Sequence, residues 1–250
     1  PSGGSVRLAG EDVLTLPPAK LRAVRSRIQM VFQDPAASLG RRMRAGELLE
    51  EPLRAHGFAG SKSEARDECV RILARCGLGE EYLTKYPQKL SGGQRQRLCI
   101  ARALILRPKV LICDEAVSSL DVEVRLQLLG LFRSLMEETG LSILFISHDL
   151  DSVRYLCSQA AVMYLGRIVE QAGVKELFES PRHPYTRALL SAGLSMRPGV
   201  LPARAFLQGE PPSAANPPSG CRFHPRCLRR LPVCSVSEPP KLPLEDGGFV

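Results

Sequence analysis

Two apolar segments of the sequence end in side chains that could bind a divalent cation and orient a water molecule. KVLIC (109–113) is followed by Asp114 and Glu115, and SILFIS (142–147) is followed by His148. Asp114 is placed to hold Mg²⁺, directly or through water, and Glu115 to orient or deprotonate a water molecule. A lone Asp-Glu pair would more often lie in a solvated loop, and His148 could equally be structural.

A third segment, SRIQMVFQD (26–34), has an apolar, β-rich centre and polar residues at its end. Gln33 lies near that end, and its amide group could bridge a metal ion and a water molecule. We therefore add Gln33 to the candidate site.

Residues 90–97, LSGGQRQR, place a serine and two glycines directly before a helical apolar pattern. The first N–H groups of a helix lack internal partners, and the helix dipole makes that end electropositive. Ser91 is a good N-cap, and Gly92 and Gly93 carry no side chain that would block an anion. The segment suits a phosphate oxygen, although a lone Ser-Gly-Gly would more simply be a capped helix after a turn.

The apolar periodicity predicts an α/β fold in which these residues follow strands or begin helices. Strands are predicted at 26–34, 109–113 and 142–147, a hairpin around Gly166, and helices at 45–56, 61–76, 91–106, 122–139, 174–179 and 184–193. The second of these helices begins with a capping box at Ser61 and Glu64. Two strands separated by a helix indicate a parallel crossover, and ligands of open α/β sheets bind beyond the carboxyl ends of the strands.

The composition is that of a globular protein with 250 residues, 44% of them hydrophobic, and a net charge of +8. Its arginine clusters could face nucleic acid or anionic lipid, but no aromatic residues interleave with them, so we expect no nucleic-acid partner. No apolar run reaches the ~18 residues that would span a bilayer. Five of the eight cysteines lie at apolar positions, which favours a reducing, cytosolic setting.

Taken together, in this order and spacing, the segments resemble the nucleotide-binding subunits of ATP-binding-cassette (ABC) transporters. LSGGQRQR resembles the family's signature, LICDE its Walker B strand, SSLD its D-loop, Gln33 its Q-loop and His148 its switch histidine. The resemblance implies a P-loop NTPase-like ABC ATPase core that uses ATP and Mg²⁺. It also implies an ATPase domain over 1–195, with a helical subdomain at about 40–105, and a small Pro/Cys-rich extension over 196–250.

The resemblance assigns a role to each candidate residue. Glu115, His148 and Gln33 would take part in hydrolysis, and Asp114 and Gln33 would hold Mg²⁺. The residues that would contact nucleotide across a head-to-tail dimer are Ser91, Gly92, Gly93, Gln94 and Asp121. From the sequence alone, Asp121 could equally just cap the helix that follows it.

Four longer segments are similar to the dipeptide/oligopeptide importer subclass, which also includes nickel importers: IQMVFQDPAASL, ICDEAVSSLDV, SPRHPYTRALLSA and GEPPSAANPPSGCRFHPRC. This likeness implies a subunit that powers uptake of di- or oligopeptides. Its partners would be a second ATPase subunit, two membrane-spanning permease subunits and, indirectly, an extracytoplasmic substrate-binding protein. The subunit would lie peripherally on the cytoplasmic face of the membrane.

Cys221, Cys227 and Cys234 are six and seven residues apart in the Pro-rich extension. The subclass resemblance implies a [4Fe–4S] cluster on four cysteines, of which three are present. His224 could instead complete a Cys₃His zinc site. The spacing is wider than the C-x₂-C usual for zinc, and three reduced cysteines in a loose tail are the remaining alternative.

The sequence departs from the family pattern in one motif. The phosphate loop G-x-x-x-x-G-K-[ST] does not occur in these 250 residues. We expect it upstream of residue 1 in a longer chain, and a fourth cysteine beyond the final GGFV. On this expectation, residues 1–250 alone would not hydrolyse ATP.

Three other functions remain open at this point. The chain could belong to a nickel or other small-solute importer of the same subclass. It could be a nucleic-acid-associated ABC ATPase, but such proteins carry long coiled-coil arms or two cassettes, and only one signature occurs here. It could also be a binding module, with a metal-holding tail on an inactive cassette.

Overall fold

The computed structural model describes residues 3–58, 60–118, 120–194, 209–244 and 247–250. Its strands are β1 (Arg7–Leu8), β2 (Glu11–Asp12), β3 (Ile28–Val31), β4 (Val110–Asp114), β5 (Ser142–Ile146), β6 (Gln159–Tyr164) and β7 (Arg167–Gly173). Its α-helices are α1 (Pro18–Arg27), α2 (Pro35–Ser38), α3 (Ala45–His56), α4 (Lys62–Arg75), α5 (Gly92–Leu104), α6 (Val122–Thr139), α7 (Leu150–Leu156), α8 (Val174–Glu179) and α9 (Pro184–Leu194). None of the helices in the described part of the chain is long and apolar enough to cross a membrane.

The chain forms two compact units, Pro1–His148 and Asp149–Val250. The domain boundary predicted at 195/196 falls in a stretch, 195–208, that lies outside the described residues. The domain limits 1–195 and 196–250, and the helical subdomain at about 40–105, therefore stay predictions.

A three-stranded parallel sheet forms the centre of the first unit, in the order β3–β4–β5. Val31 pairs with Cys113, and Asp114 pairs with Ile146, so the three strands end at one edge. The parallel crossover predicted from the sequence is confirmed. Leu111 and Cys113 of β4 are fully buried, as expected for the middle strand of a covered sheet.

The unbroken apolar run SILFIS is typical of a strand buried on both faces, but β5 is not buried on both faces. Leu144 and Ile146 are 55% and 46% exposed. Among the described residues β5 pairs only with β4, and successive side chains of a strand point to opposite faces. An unbroken apolar run cannot show that one of its two faces is left open.

Helices α3 and α6 have the predicted bounds, and α4 begins directly after its predicted cap. In α4, Ser61 Oγ accepts from the N–H of Glu64, and the Glu64 carboxylate accepts from the N–H of Ser61, so the capping box is confirmed. Gly57 and Gly140 end α3 and α6 in the left-handed conformation, with φ of 65° and 66°.

Helix α1 was not predicted from the sequence, and it shortens the predicted strand 26–34. The helix continues to Arg27, so β3 begins only at Ile28. Val24 is the one residue of α1 that is buried. A helix that buries so little apolar surface leaves almost no periodic signal in the sequence.

The second unit is built on the hairpin β6–β7, whose turn at Leu165 and Gly166 has positive φ at both residues. Phe223 is only 2% exposed, and its ring centroid lies 5.2 Å from Tyr164 and 5.5 Å from Tyr185. This aromatic cluster fastens the loop-rich C-terminal segment to the hairpin and α9. The expected loop-rich character is confirmed for residues 209–244, where the helical turns are the short 3₁₀ segments His224–Arg226 and Pro232–Ser235.

A buried carboxylate fixes the entry into α9. Glu170 is 1% exposed and accepts from the N–H groups of Arg182 and His183, at 2.8 and 3.0 Å. His183 Nδ1 in turn accepts from the N–H of Tyr185 at 3.1 Å. Because Nδ1 must be unprotonated to accept this hydrogen bond, the fold requires a neutral imidazole.

Burial lowers the pKa of His183 from its ordinary value of 6.5, and the carboxylate of Glu170 opposes part of that shift. A histidine whose pKa is lowered by folding stabilises the fold above its unfolded pKa and loses that contribution as the pH falls toward the folded pKa. We expect His183→Asn, whose amide oxygen can also accept from Tyr185, to show a weaker fall in stability below pH 6.5.

The measurement is the thermal unfolding midpoint of both proteins between about pH 5 and about pH 8. His148→Asn, at a side chain that is 69% exposed, is the control for loss of a histidine. Parallel pH curves for His183→Asn and the unaltered protein would show that His183 does not contribute.

Candidate functional site

The carboxyl edge of the sheet brings three of the predicted side chains together. Gln33 Nε2 donates to Glu115 Oε2 at 2.8 Å, and His148 Nδ1 lies 3.3 Å from Glu115 Oε1. Gln33 and His148 follow the ends of β3 and β5 by two residues, and Glu115 directly follows β4. Glu115 is therefore held on one side by an amide and on the other by an imidazole, although 82 and 33 residues separate it from them along the chain.

The backbone of Glu115 is in the left-handed region, with φ of 48°, which is strained for a residue with a side chain. Its N–H donates to the carbonyl oxygen of Ile146 at 2.9 Å. Its own carbonyl oxygen accepts from the hydroxyl of Ser118 at 2.9 Å. These contacts hold the turn that lifts the Glu115 side chain off the end of β4.

Ser118 is a residue that sequence reasoning missed. The available signal was a serine three residues after the end of a strand, since a serine hydroxyl often bonds the backbone of a nearby turn. The sequence alone gave no reason to expect a strained residue at position 115, so it did not indicate which group the Ser118 hydroxyl would bond.

The Mg²⁺ ligands predicted from the sequence were Asp114 and Gln33. Asp114 ends β4 at the edge where Gln33 lies. Because the amide nitrogen of Gln33 is used by Glu115, its carbonyl oxygen is the atom that could face a metal ion or its water. A carboxylate and an amide oxygen at one edge are hard oxygen donors of the kind that Mg²⁺ prefers. The donor set fits a Mg²⁺ ion that keeps most of its waters.

The Ser-Gly-Gly segment begins α5, as predicted. Ser91 is the N-cap: its Oγ accepts from the N–H of Gln94 at 3.3 Å, and its own N–H donates to Gln94 Oε1 at 3.0 Å. Among the described residues, no hydrogen bond or ion pair joins this segment to Gln33, Glu115 and His148. The candidate residues thus form two separate groups, one at the sheet edge and one at the start of α5.

Neither glycine of this segment is required by the conformation or packing of the described chain. Both lie in α5 with ordinary helical φ. A Cβ added at Gly92 would have no atom within 4 Å, and one at Gly93 would make ordinary contacts of 3.5 Å to Val124. The described contacts of this chain therefore give no reason for glycine at position 92.

Asp121 is the N-cap of α6, and its Oδ1 accepts from the N–H of Val124 at 2.9 Å. The capping role considered from the sequence is confirmed. Ser119, its neighbour in the SSLD motif, lies outside the described residues. A contact of Asp121 with nucleotide stays a prediction.

Four cysteines, Cys69, Cys76, Cys99 and Cys113, are buried in the first unit, as their apolar positions predicted. Burial raises the pKa of the Cys69 and Cys76 thiols to about 12. Thiols with such pKa values are not ionised near neutral pH, so these two residues are core side chains.

The C-terminal cysteines do not fit the predicted metal site. The N–H of Cys221 donates to the carbonyl oxygen of Cys234 at 2.9 Å, so the segment folds back on itself. Yet within the described residues no three His, Cys, Asp or Glu side chains are grouped to hold a metal ion. Burial also raises the pKa of the Cys221 thiol, which opposes the thiolate that a metal needs. His224 Nδ1 lies 2.9 Å from the carbonyl oxygen of Cys221, a backbone contact.

The Glu115 turn generates a stability prediction. Ser118→Ala removes the hydroxyl that donates to the carbonyl of a strained residue, and we expect the free energy of unfolding to fall by about 1 kcal/mol. Urea unfolding followed by circular dichroism measures this loss. Ser134→Ala is the matched control, because its hydroxyl only bonds the Leu131 carbonyl of its own helix. Equal losses in the two variants would contradict a special role for Ser118.

Comparison with known families gives two matches along the chain. Residues 1–118 match the ABC transporter family, and residues 169–234 match the oligopeptide/dipeptide transporter C-terminal region. Across all 250 residues the chain is 46% identical to a probable peptide ABC transporter ATP-binding protein of Sinorhizobium fredii, and it covers 70% of that protein. It is also 46% identical, over 239 residues, to a dipeptide transport ATP-binding protein of Escherichia coli, of which it covers 71%.

Solved structures agree with these relatives. A dimeric ATP-binding cassette in a post-hydrolysis state, bound to ADP and Pi, superposes with a TM-score of 0.64 at 28% identity. The match covers 70% of this chain and 75% of that one. The ABC ATPase fold expected from the sequence is confirmed. The chain belongs to the family of ATP-binding subunits of ABC transporters, in the branch that carries the oligopeptide/dipeptide transporter C-terminal region.

Proposed function

We propose that this chain belongs to the ATP-hydrolysing subunit of an importer that drives the uptake of di- or oligopeptides. One observation carries the enzymatic part of the proposal: the Glu115 carboxylate lies between Gln33 and His148 at the carboxyl edge of the parallel sheet. That edge is where open α/β proteins bind their ligands. A partly exposed carboxylate held by two polar side chains can orient a water molecule for attack on a phosphate group.

In this proposal the reaction is transfer of the γ-phosphoryl group of ATP to water, and Glu115 accepts or directs the water proton. Glu115 Oε2 is engaged by Gln33 at 2.8 Å, whereas Oε1 has the longer contact of 3.3 Å to His148. Each carboxylate oxygen can accept more than one hydrogen bond. Oε1, the less tightly held atom, is therefore the better site for the water proton. His148 would then stabilise the charge that builds up between Glu115 and the phosphate.

Asp114 and Gln33 would hold Mg²⁺, Asp114 through its carboxylate or a bound water and Gln33 through its amide oxygen. The cation would neutralise charge on the β- and γ-phosphates. Gln33 would then have two tasks, because its amide nitrogen fixes Glu115 while its amide oxygen faces the cation.

The second group of residues, Ser91, Gly92, Gly93 and Gln94, would act on nucleotide held by another subunit. Support comes from Gly92, which nothing in the described chain requires to be glycine. A γ-phosphate approaching the start of α5 would meet unpartnered N–H groups and the positive end of the helix dipole. One of the structural neighbours is a dimeric ATP-binding cassette, which supports a dimer of ATPase subunits. Asp121, at the start of α6, would lie at the same interface.

The cargo and the remaining partners are proposed from the relatives and the C-terminal region. Proteins named for peptide, dipeptide and oligopeptide transport are 44–46% identical to this chain. These names favour peptides over nickel, and the single cassette gives no support to a nucleic-acid ATPase. The subunit would associate peripherally with two permease subunits on the cytoplasmic face of the membrane, and an extracytoplasmic protein would deliver the peptide.

No metal cluster is part of the proposed function. The arrangement of Cys221, Cys227 and Cys234 gives no support to the [4Fe–4S] cluster implied by the subclass resemblance or to the alternative zinc site with His224. We assign their segment a packing role through Phe223, which the aromatic rings of the second unit enclose.

The role of Glu115 is testable in the assembled transporter. Glu115→Gln keeps the shape of the side chain and one oxygen that can accept from Gln33, but it removes the base, so kcat for ATP hydrolysis should fall by roughly 10²–10⁴. ATP binding should persist, because Asp114 is unchanged. Phosphate release and nucleotide binding are measured in parallel, with Glu137→Gln on the exposed face of α6 as the control. Hydrolysis at a near-normal rate by Glu115→Gln would exclude Glu115 as the water-activating group.

The role of the signature is tested by Gly92→Asp, which puts a negative charge where the proposal places the γ-phosphate of the partner subunit. We expect loss of ATP-dependent dimer formation while each subunit still binds ATP in its own half-site. Gly130→Asp is the matched control, because Gly130 also lies within a helix and a Cβ there also has no atom within 4 Å. Size-exclusion chromatography with ATP measures the dimer. Normal dimers of Gly92→Asp would contradict the capping of a partner's nucleotide.

A further inference from the structure

We propose that Tyr82 is a positioning residue for the signature segment, acting through the side-chain amide of Gln94. The proposal rests on the proposed function of Ser91 and Gly92 at the nucleotide of a partner subunit. Tyr82 lies nine residues before Ser91, in the 3₁₀ helix Glu80–Thr84 between α4 and α5. Its hydroxyl oxygen accepts from Gln94 Nε2 at 2.9 Å.

Gln94 is the centre of a small network. Its backbone N–H donates to Ser91 Oγ at 3.3 Å, its Oε1 accepts from the N–H of Ser91 at 3.0 Å, and its Nε2 donates to Tyr82. The N–H of Ser91 can only donate, so it requires the oxygen end of the amide. The nitrogen end must then face Tyr82, whose hydroxyl is able to accept. The three hydrogen bonds therefore agree on one orientation of the amide.

Ser91 keeps one donor for a ligand. Because Ser91 Oγ already accepts from the N–H of Gln94, its own hydroxyl hydrogen remains as a donor that a phosphate oxygen can accept. If the Gln94 amide turned, the N–H of Ser91 would lose its acceptor, which would weaken the cap that holds the serine.

Tyr82 is held by contacts that do not depend on α5. Its N–H donates to the carbonyl oxygen of Gly79 at 3.2 Å, and its carbonyl oxygen accepts from the N–H of Lys85 at 3.0 Å. The Lys85 ammonium lies 3.9 Å from the centre of the Tyr82 ring. The carbonyl oxygen of Lys85 accepts from the N–H of Ala45, the first residue of α3, at 2.9 Å. The hydroxyl is thus supported from α3, and it fixes the start of α5 from outside that helix.

The chain offers a matched comparison for the loss of the Tyr82 hydroxyl. Tyr86 lies four residues further on the same segment, with its ring under the Arg44 guanidinium at 5.7 Å. Its side chain is hydrogen-bonded to Arg44 and not to Gln94, whose Nε2 partner is Tyr82. Tyr82→Phe and Tyr86→Phe each remove one hydroxyl and one side-chain hydrogen bond but keep the ring, so a loss of activity found only in Tyr82→Phe reports the bond to Gln94.

The experiment measures ATP hydrolysis in the assembled transporter. It measures ATP-dependent dimer formation in the purified subunit. For Tyr82→Phe we expect kcat and the fraction of dimer to fall by about two- to tenfold, the range for losing one neutral hydrogen bond. The KM for ATP and the thermal unfolding midpoint should match those of Tyr86→Phe, since the subunit's own nucleotide contacts and its packing are unchanged. Tyr86→Phe itself should keep the kcat and the dimer fraction of the unaltered protein, because the hydroxyl that it removes bonds Arg44 and not the signature segment.

A double-mutant cycle tests whether Tyr82 acts through Gln94. In a Gln94→Leu background, Tyr82→Phe should cause no further loss, because residues in one network are not additive. Additive losses, or equal kinetics for Tyr82→Phe and Tyr86→Phe, would overturn the proposal. If the Tyr82 proposal fails in this way while Gly92→Asp still disrupts the dimer, the proposed function of the signature segment stands. Normal dimers in Gly92→Asp would overturn the proposed function of the signature segment and, with it, the role of Tyr82.

Discussion

The parallel pairing of β3, β4 and β5 is the constraint on which the candidate catalytic group depends. Parallel strands in register end at one edge, and the residues that follow them meet there whatever their separation along the chain. Gln33 and His148 reach Glu115 only because Val31 pairs with Cys113 and Asp114 with Ile146. A shift of one residue in either pairing would turn every side chain of the shifted strand to the other face.

The turn after β4 shows what this arrangement costs the backbone. Glu115 occupies a left-handed conformation that glycine would adopt more easily, but the proposed chemistry needs a carboxylate there. The strain is offset by the N–H bond to the end of β5 and by the hydroxyl of Ser118. Since the first of these bonds comes from a neighbouring strand, the sheet that gathers the site also holds its most strained residue in place.

The start of α5 differs from the sheet edge, because its important feature is the open space around Gly92 in the described chain. Ser91 and Gln94 satisfy each other in a capping box, while Gly92 faces no atom that a side chain would meet. In the proposed function, this helix N-terminus receives a phosphate group held by another subunit, and Tyr82 fixes its cap from outside the helix. The second unit uses ordinary packing instead, with Phe223 enclosed by aromatic rings and Glu170 fixing the entry into α9.

The sequence by itself determined the elements whose signals are local. It predicted α3, α4, α5 and α6, the capping box at Ser61, the N-cap at Ser91, the parallel strands, and the candidate residues at their ends. Caps, glycine stops and apolar periodicity are set by neighbours within a few residues, so they can be read in one dimension. The family resemblance followed from the order and spacing of the same short segments.

Only the tertiary structure decided which of those residues touch and which surfaces are covered. The 2.8 Å contact of Gln33 with Glu115, the left-handed turn held by Ser118 and the link from Tyr82 to Gln94 join residues whose partners no local pattern specifies. The open face of β5 and the weakly buried α1 were missed for a related reason. The apolar run of β5 shows which side chains could be buried, but not whether they are. The mostly polar sequence of α1 gives no sign that the helix packs against its neighbours. In both cases burial depends on residues brought in from elsewhere in the chain. The clustering of Cys221, Cys227 and Cys234 in a Pro-rich segment and the subclass resemblance suggested a metal site. Ligation needs converging side chains, however, and convergence is a property of the folded chain alone.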